Sequence, residues 1–176
     1  MARIVILENT FYTVLSLRME ILNHLRENGF EVIILSTGPS EDVEKLRSLG
    51  FQSIDVGSVI LNPIKALKFI LALTTNLRRI SPLAICSFTI RPNIFGSIVA
   101  RVLSIPILSN VTGTGPLTES KSCVYKIIRL LYKFVFSKNR TVFFQNEDDM
   151  RYFLQNRYVR STQAKLLPGS GVDTDH

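Results

Sequence analysis

Thr89, Arg91 and Asn93 stand close together in Phe88-Thr89-Ile90-Arg91-Pro92-Asn93-Ile94-Phe95-Gly96, where an apolar run turns into a helical pattern. Pro92 suits the first turn of a helix, whose free N–H groups attract anions, and Arg91 adds a fixed charge there. The chemistry on offer is the holding of a phosphate or a polarised oxygen. The plainer reading is a helix start satisfied by Thr89 or Asn93, with Arg91 in solvent. A second set lies in Asn110-Val111-Thr112-Gly113-Thr114-Gly115-Pro116. There Gly113 and Gly115 permit close backbone approach, and Thr112 and Thr114 offer hydroxyl donors. Read plainly, it is a turn or a lid. Asn146 and Glu147 open a further helical pattern. As an N-cap and a dipole-compensating acid they are explained without any ligand.

Other chemistries are poorly supplied. His24 and His176 are the only histidines, so neither a Ser-His-Asp triad nor a histidine metal centre is expected. Cys86 and Cys123 form no CxxC pair and read as structural. The first loop, Glu8-Asn9-Thr10-Phe11-Tyr12, has no glycine, which argues against a dinucleotide fingerprint, and no phosphate-binding P-loop is present.

The elements that must position these residues alternate regularly. Strand patterns fall at 3–8, 30–35, 52–56, 83–87, 105–109, 141–144 and 164–167, and helical patterns at 13–28, 41–49, 63–79, 92–103, 121–137 and 147–156. Several of the strands are short, β-branched and without polar alternation, as strands covered on both faces are. The expectation is an α/β fold: a doubly wound, Rossmann-like parallel sheet of about seven strands, helices on both faces, in one domain over 1–168. Ligands of such sheets bind beyond the carboxyl ends of the strands, where all the loops named above lie.

Composition narrows the partners. With 176 residues and 46% hydrophobic side chains, the chain is neither disordered nor a disulfide scaffold. No signal-peptide pattern opens it, so a reduced, cytoplasmic setting is expected. The net charge of +7 is uneven: residues 1–55 carry −3, residues 56–140 carry +11, and residues 141–176 carry −1. An anionic partner follows, such as a phosphorylated ligand or a lipid surface. Nucleic acid is not expected, because no recognised nucleic-acid module is visible.

Two helical patterns carry this charge. In 121–137, Lys126, Arg129 and Lys133 accompany an apolar stripe of Val124, Ile127, Ile128, Leu131 and Val135. Tyr125, Tyr132 and Phe136 form a second line that reads as an interfacial anchor beside the basic face. In 63–79, Lys65 and Lys68 flank Phe69 and Leu73 in the same way. The plain alternative is two ordinary helices with solvated basic faces.

Taken in order, several motifs resemble a known family. They are Thr89-Ile90-Arg91-Pro92-Asn93-Ile94-Phe95-Gly96, Ala100-Arg101, Ile105-Pro106, Asn110-Val111-Thr112-Gly113-Thr114-Gly115, Asn146, and Leu167-Pro168-Gly169-Ser170-Gly171-Val172-Asp173. The chain resembles the amino-terminal half of bacterial retaining glycosyltransferases of family 4, with the GT-B fold, nearest the capsular and lipid-linked oligosaccharide branch. It departs from that pattern at Ser16-Leu17-Arg18, where the family often has Asn-Phe-Arg. The resemblance implies an acceptor-binding half whose cleft is lined by Asn9, Arg18, Thr89, Arg91, Asn93, Thr112, Gly113, Thr114, Gly115, Asn146 and Glu147. Gly169, Ser170 and Gly171 would mark the interdomain junction, with 169–176 starting the linker. A second domain, absent from this chain, would hold the UDP-sugar, and no cofactor is expected in this half.

The implied activity is transfer of a sugar, with retention, to a lipid-linked sugar or polysaccharide acceptor at the inner face of the plasma membrane. Lys65, Lys68, Lys126, Arg129 and Lys133 would face an anionic membrane. Alone, the half would be inactive. The competing reading is a stand-alone, non-catalytic α/β module for an anionic or phosphorylated ligand.

Overall fold

The computed structural model describes residues 1–57, 63–113 and 123–167. Seven parallel strands form one sheet: β1 (Arg3–Leu7), β2 (Glu31–Ser36), β3 (Gln52–Asp55), β4 (Ala84–Phe88), β5 (Ile107–Val111), β6 (Thr141–Phe144) and β7 (Ala164–Leu166). Their order across the sheet is β3-β2-β1-β4-β5-β6-β7. The described helices are α1 (Phe11–Leu17), α2 (Met19–Glu27), α3 (Ser40–Ser48), α4 (Pro63–Ile80), α5 (Ile90–Leu103), α6 (Cys123–Phe136) and α7 (Glu147–Gln155). The expected doubly wound α/β architecture is what the chain adopts.

Side-chain alternation along each strand sorts the core by face. Ile4 and Ile6 of β1 and Val32 and Ile34 of β2 pack with Phe11, Val14, Leu22 and Leu46 of the first three helices. The intervening Val5, Leu7, Ile33 and Leu35 pack instead with Phe69, Leu73 and Leu77 of α4 and Val99 and Ala100 of α5. A third cluster joins Tyr132, Val135 and Phe136 of α6 to Val142 and Phe144 of β6 and Phe153 of α7. Gly96 allows α5 to lie close on the sheet, since a Cβ there would come within 2.6 Å of Leu7 Cδ2.

The single helix expected over 13–28 is broken at Arg18, whose backbone is non-helical (φ −125°, ψ −1°) and caps α1 while starting α2. The break follows from burial. Arg18 turns inward to meet a carboxylate, as described below, instead of continuing a solvent-facing helix.

A buried polar network ties β4, β5, α5 and the turn before β6 together. Ser87 Oγ donates to Asn93 Oδ1 (2.7 Å) and lies 3.0 Å from Ser109 Oγ, while Asn93 Nδ2 donates to the Asn110 carbonyl (2.8 Å). Asn139 Nδ2 donates to both Ser97 Oγ and Ser109 Oγ (2.9 and 2.8 Å). Each of these side chains is almost fully withdrawn from water, so their mutual pairing offsets the desolvation of every member.

Candidate functional site

Strand order reverses between β1 and β4: the chain leaves β1 towards β2 and leaves β4 towards β5. Their outgoing loops diverge, and a crevice opens at that switch point. Asn9 follows β1, and Thr89 and Arg91 follow β4, so the fold brings three of the expected site residues to one place. Thr112 and Gly113 follow β5 one strand further on, and Asn146 and Glu147 follow β6 beyond that. Thr114, Gly115, Gly169, Ser170 and Gly171 lie outside the described residues.

A buried ion pair lies at the switch point. Arg18 Nε donates to Glu8 Oε2 at 3.1 Å, with the two side chains only 4% and 0% exposed. The other Glu8 oxygen accepts the Asn9 backbone N–H (2.8 Å), and the Arg18 guanidinium lies over the Phe88 ring, 4.3 Å from its centre. Arg18 thus spans from the end of β1 to the end of β4 and holds the two sides of the switch point together. Thr10, the next residue in the loop, caps α1 by accepting from Thr13 N.

On the other side, Thr89 is strained. Its φ of +67° with ψ of 169° is backbone that glycine adopts readily and a β-branched residue does not. Its Oγ1 is buried without a hydrogen-bond partner, and so is Oδ1 of Asn110, the residue paired with Phe88 across β4 and β5. Two orphaned oxygens, one able to donate and both able to accept, thus belong to the carboxyl ends of the neighbouring strands β4 and β5. The N–H groups of Ile90 and Arg91 open α5 beside them, Pro92 has none, and Asn93 N bonds back to the Thr89 carbonyl (3.1 Å). Arg91 is exposed. Strain relief in Thr89→Gly outweighs the chain entropy that glycine adds. We expect the midpoint of chemical denaturation to rise, by about 1 kcal/mol of stability.

The remaining expected residues are placed as follows. Asn93 is fully buried under the start of α5, with both ends of its amide engaged in the network described above. Asn146 is the N-cap of α7, accepting from Asp149 N and donating to Asp149 Oδ2, both at 2.8 Å. Glu147 is exposed, 3.8 Å from Arg151. Gly113 has open space where a Cβ would stand. Glu8, Phe88 and Asn110 also line this region and were not singled out. Glu8 had a signal available, as an acid closing an apolar strand ten residues before an arginine in an adjacent helical segment. Among the described residues no three of His, Cys, Asp and Glu gather as metal ligands. Burial pushes the Cys86 thiol up to about 11, which makes it a poor nucleophile; the Cys123 side chain lies outside the described residues.

The basic helices differ from expectation in which apolar residues accompany the charge. Tyr132 and Phe136 are core residues with no exposure, stacked with ring centres 4.7 Å apart, so they do not form the anchor. Tyr132 packs against Phe153 as well, and burial holds its phenol far above the ordinary range. Phe69 and Leu73 of α4 are likewise buried. The reason is helical phase: Tyr132, Val135 and Phe136 share one face with Ile128 and Leu131, and that face meets β6 and α7. Ile127, assigned to the core stripe, turns outward instead. It joins Leu130 and Phe134 in an exposed apolar row beside Lys126 and Lys133. On α4 the matching row is Ile64, Leu67 and Leu71, beside Lys65 and Lys68. No described helix is long and apolar enough to cross a membrane.

Comparison with known proteins accords with this geometry. The glycosyl transferase 4-like family matches residues 3–146. No curated protein matches the sequence. Among solved structures, MurG of Acinetobacter baumannii superposes with a TM-score of 0.65 at 12% identity, covering 99% of this chain and 47% of that one. HepE of Anabaena, in complex with UDP and glucose, gives 0.69 at 12% identity, covering 99% and 46%. UDP-N-acetylglucosamine 2-epimerase of Rickettsia bellii gives 0.71 at 14% identity, covering 94% and 44%. The chain therefore spans somewhat under half the length of these proteins, and at such identities the likeness is one of fold. Transferases and epimerases share that fold, so the fold alone does not tell them apart. Most of the sequence, from β1 to the cap of α7, falls within that match, and the chain belongs to the glycosyl transferase 4-like family.

Proposed function

We propose that this chain is the acceptor-binding half of a membrane-associated retaining glycosyltransferase, with the nucleotide sugar held by a second domain facing the crevice. The observation that carries this reading is the pair of orphaned oxygens at the strained end of β4. A sugar acceptor is rich in hydroxyls, which could donate to Asn110 Oδ1 and accept from Thr89 Oγ1 once the atoms that cover these oxygens give way. The N–H groups opening α5 and the Arg91 side chain add positive potential where a diphosphate would approach.

In a retaining transfer the acceptor hydroxyl enters on the face from which the nucleoside diphosphate leaves. Holding the acceptor in line and stabilising the departing charge then supply most of the rate. This half supplies the first of these through a fixed base at the switch point, since the Glu8–Arg18 pair cannot separate without leaving a buried charge unpaired. The acceptor is taken to be lipid-linked, and the protein to work on the cytoplasmic face of the plasma membrane. The exposed basic and apolar rows on α4 and α6 support that assignment.

Two measurements test the reading. The chain has no Trp, so its 5 Tyr report on binding. Titration with a short-chain polyprenyl-diphosphate sugar is expected to change tyrosine emission saturably in the wild type and more weakly in Thr89→Val; equal titrations would overturn the crevice assignment. Sedimentation with anionic vesicles is expected to be salt-sensitive and lost in the double variant Lys126→Glu, Lys133→Glu, whereas absence of binding at low salt would remove the membrane from the proposal.

A further inference from the structure

Among the described residues, Tyr12 and Phe134 are the two aromatic side chains largely open to solvent, 67% and 57% exposed. The Arg101 guanidinium lies over the Phe134 ring, 4.4 Å from its centre. No described ring or cation stacks on Tyr12. A single exposed aromatic needs no explanation by itself. Tyr12 differs from an ordinary surface residue in where it stands and in how firmly the chain beneath it is held.

Tyr12 is the second residue of α1, which begins directly after the loop that leaves β1 at the switch point. The start of that helix is fixed twice over. Thr13 N donates to Thr10 Oγ1 (3.2 Å), and Thr10 N donates back to Thr13 Oγ1 (3.3 Å). Phe11 is fully buried, and its N–H reaches the Thr37 carbonyl (2.9 Å). Side chains of a helix lean towards its N-terminus, so a first-turn residue covers the chain just before it. Tyr12 therefore leans over the loop after β1, close in sequence to the exposed Asn9, whose amide can both donate and accept. A tyrosine on a fixed backbone has only two side-chain torsions to order, so it loses little freedom when a ligand lies on it.

The surroundings select the kind of ligand. A prenyl or acyl chain needs a continuous apolar row, whereas the exposed position one turn on from Tyr12 is Ser16. A pyranose ring has a face of C–H bonds and a rim of hydroxyls. An isolated aromatic ring suits the first, and a neighbouring amide and hydroxyl suit the second.

We infer that Tyr12 is a stacking platform for a pyranose ring of the acceptor, with the Asn9 amide serving the hydroxyls at the edge of that ring. The inference rests on the acceptor reading above and adds the side chain that recognises the sugar as a ring. Stacking fixes the plane of the sugar, and with it the direction in which the reacting hydroxyl is offered. Tyr12 is thus a specificity-determining residue.

The test is titration calorimetry of the whole chain with farnesyl diphosphate bearing N-acetylglucosamine, bearing galactose, or bearing no sugar. At least one sugar-bearing probe is expected to bind about tenfold more tightly than the bare diphosphate. Tyr12→Phe keeps the ring and should keep that advantage. Tyr12→Leu keeps apolar bulk without a flat face, and should erase the advantage while leaving the bare diphosphate bound as before. Because the side chain is exposed, both variants are expected to melt within a degree or two of wild type. Sugar-bearing probes bound no more tightly than the bare one, or an advantage that survives Tyr12→Leu, would overturn the platform while the crevice reading stands. Equal weakening of all three probes by Tyr12→Leu would place the ring against the diphosphate or the prenyl chain and overturn the sugar assignment. Binding of UDP alone that is lost in Tyr12→Leu would assign the ring to a base. Binding of none of the farnesyl probes would overturn the acceptor reading and the platform with it.

Discussion

Arg18→Met is expected to destabilise the fold by about 3–5 kcal/mol, the cost of leaving a buried carboxylate without its counter-charge. Glu8 is 0% exposed and Arg18 only 4%, so water cannot take over the lost partner. The variant also removes the cation from the Phe88 ring and the ion pair that ties the start of α2 to the loop after β1. Because the pair is dry, the loss should vary little with salt, unlike that of a surface pair. The double variant Glu8→Gln, Arg18→Met is expected to recover about half of the loss, since the glutamine carbonyl still accepts from Asn9 N and no bare charge remains. Urea denaturation of the three variants checks this. A single-variant loss under about 1 kcal/mol would mean that the pair is open to water in solution.

The second large effect concerns Asn93. Asn93→Ala should cost about 3 kcal/mol, because it strips the Asn110 carbonyl of its donor, leaves Ser87 Oγ to find another acceptor and opens a void under α5. Asn93→Asp should cost at least as much, since the carboxylate has no donor for the Asn110 carbonyl and adds a buried charge. Thermal melts distinguish this from a purely binding role, in which the melting temperature would stay within a degree or two of wild type. The comparison with Thr89 is informative. Both residues belong to one motif, yet the expected changes have opposite signs: Thr89→Gly raises stability, and Asn93→Ala lowers it.

That contrast shows how far the sequence could be read. Strands and helices were legible because period and punctuation agree along the chain: short apolar runs, Gly29 and Gly50 after helices, Pro63 at a helix start. Strand ends shifted by at most about two residues at β5, where Ile105 and Pro106 stand before the first paired residue, Ile107. Which residues gather at the switch point also followed from the fold class. Burial of polar side chains did not. Nothing in the local pattern distinguishes Asn93, which satisfies two partners inside the sheet, from Asn146, which caps an exposed helix start. The difference lies in what β5 places opposite, a contact across seventeen residues. The face of α6 was misjudged for a related reason. Its residues are apolar on more than one side, so periodicity alone could not choose whether Tyr132 or Ile127 meets the core; the approach of α7 through Phe153 decides it.

The two outermost strands show one further property of the molecule. β3 has four residues and β7 three; among the described residues neither has a strand on its outer side, and each carries a charge, Asp55 at the end of one and Lys165 at the centre of the other. An unpaired edge is a template for any other chain with an extended segment, and a sheet with two such edges could in principle grow sideways without limit. Here a docking strand would find only three or four backbone positions to pair with, and a solvated charge beside them. The parallel sheet is thus bounded laterally by the brevity and polarity of its ends.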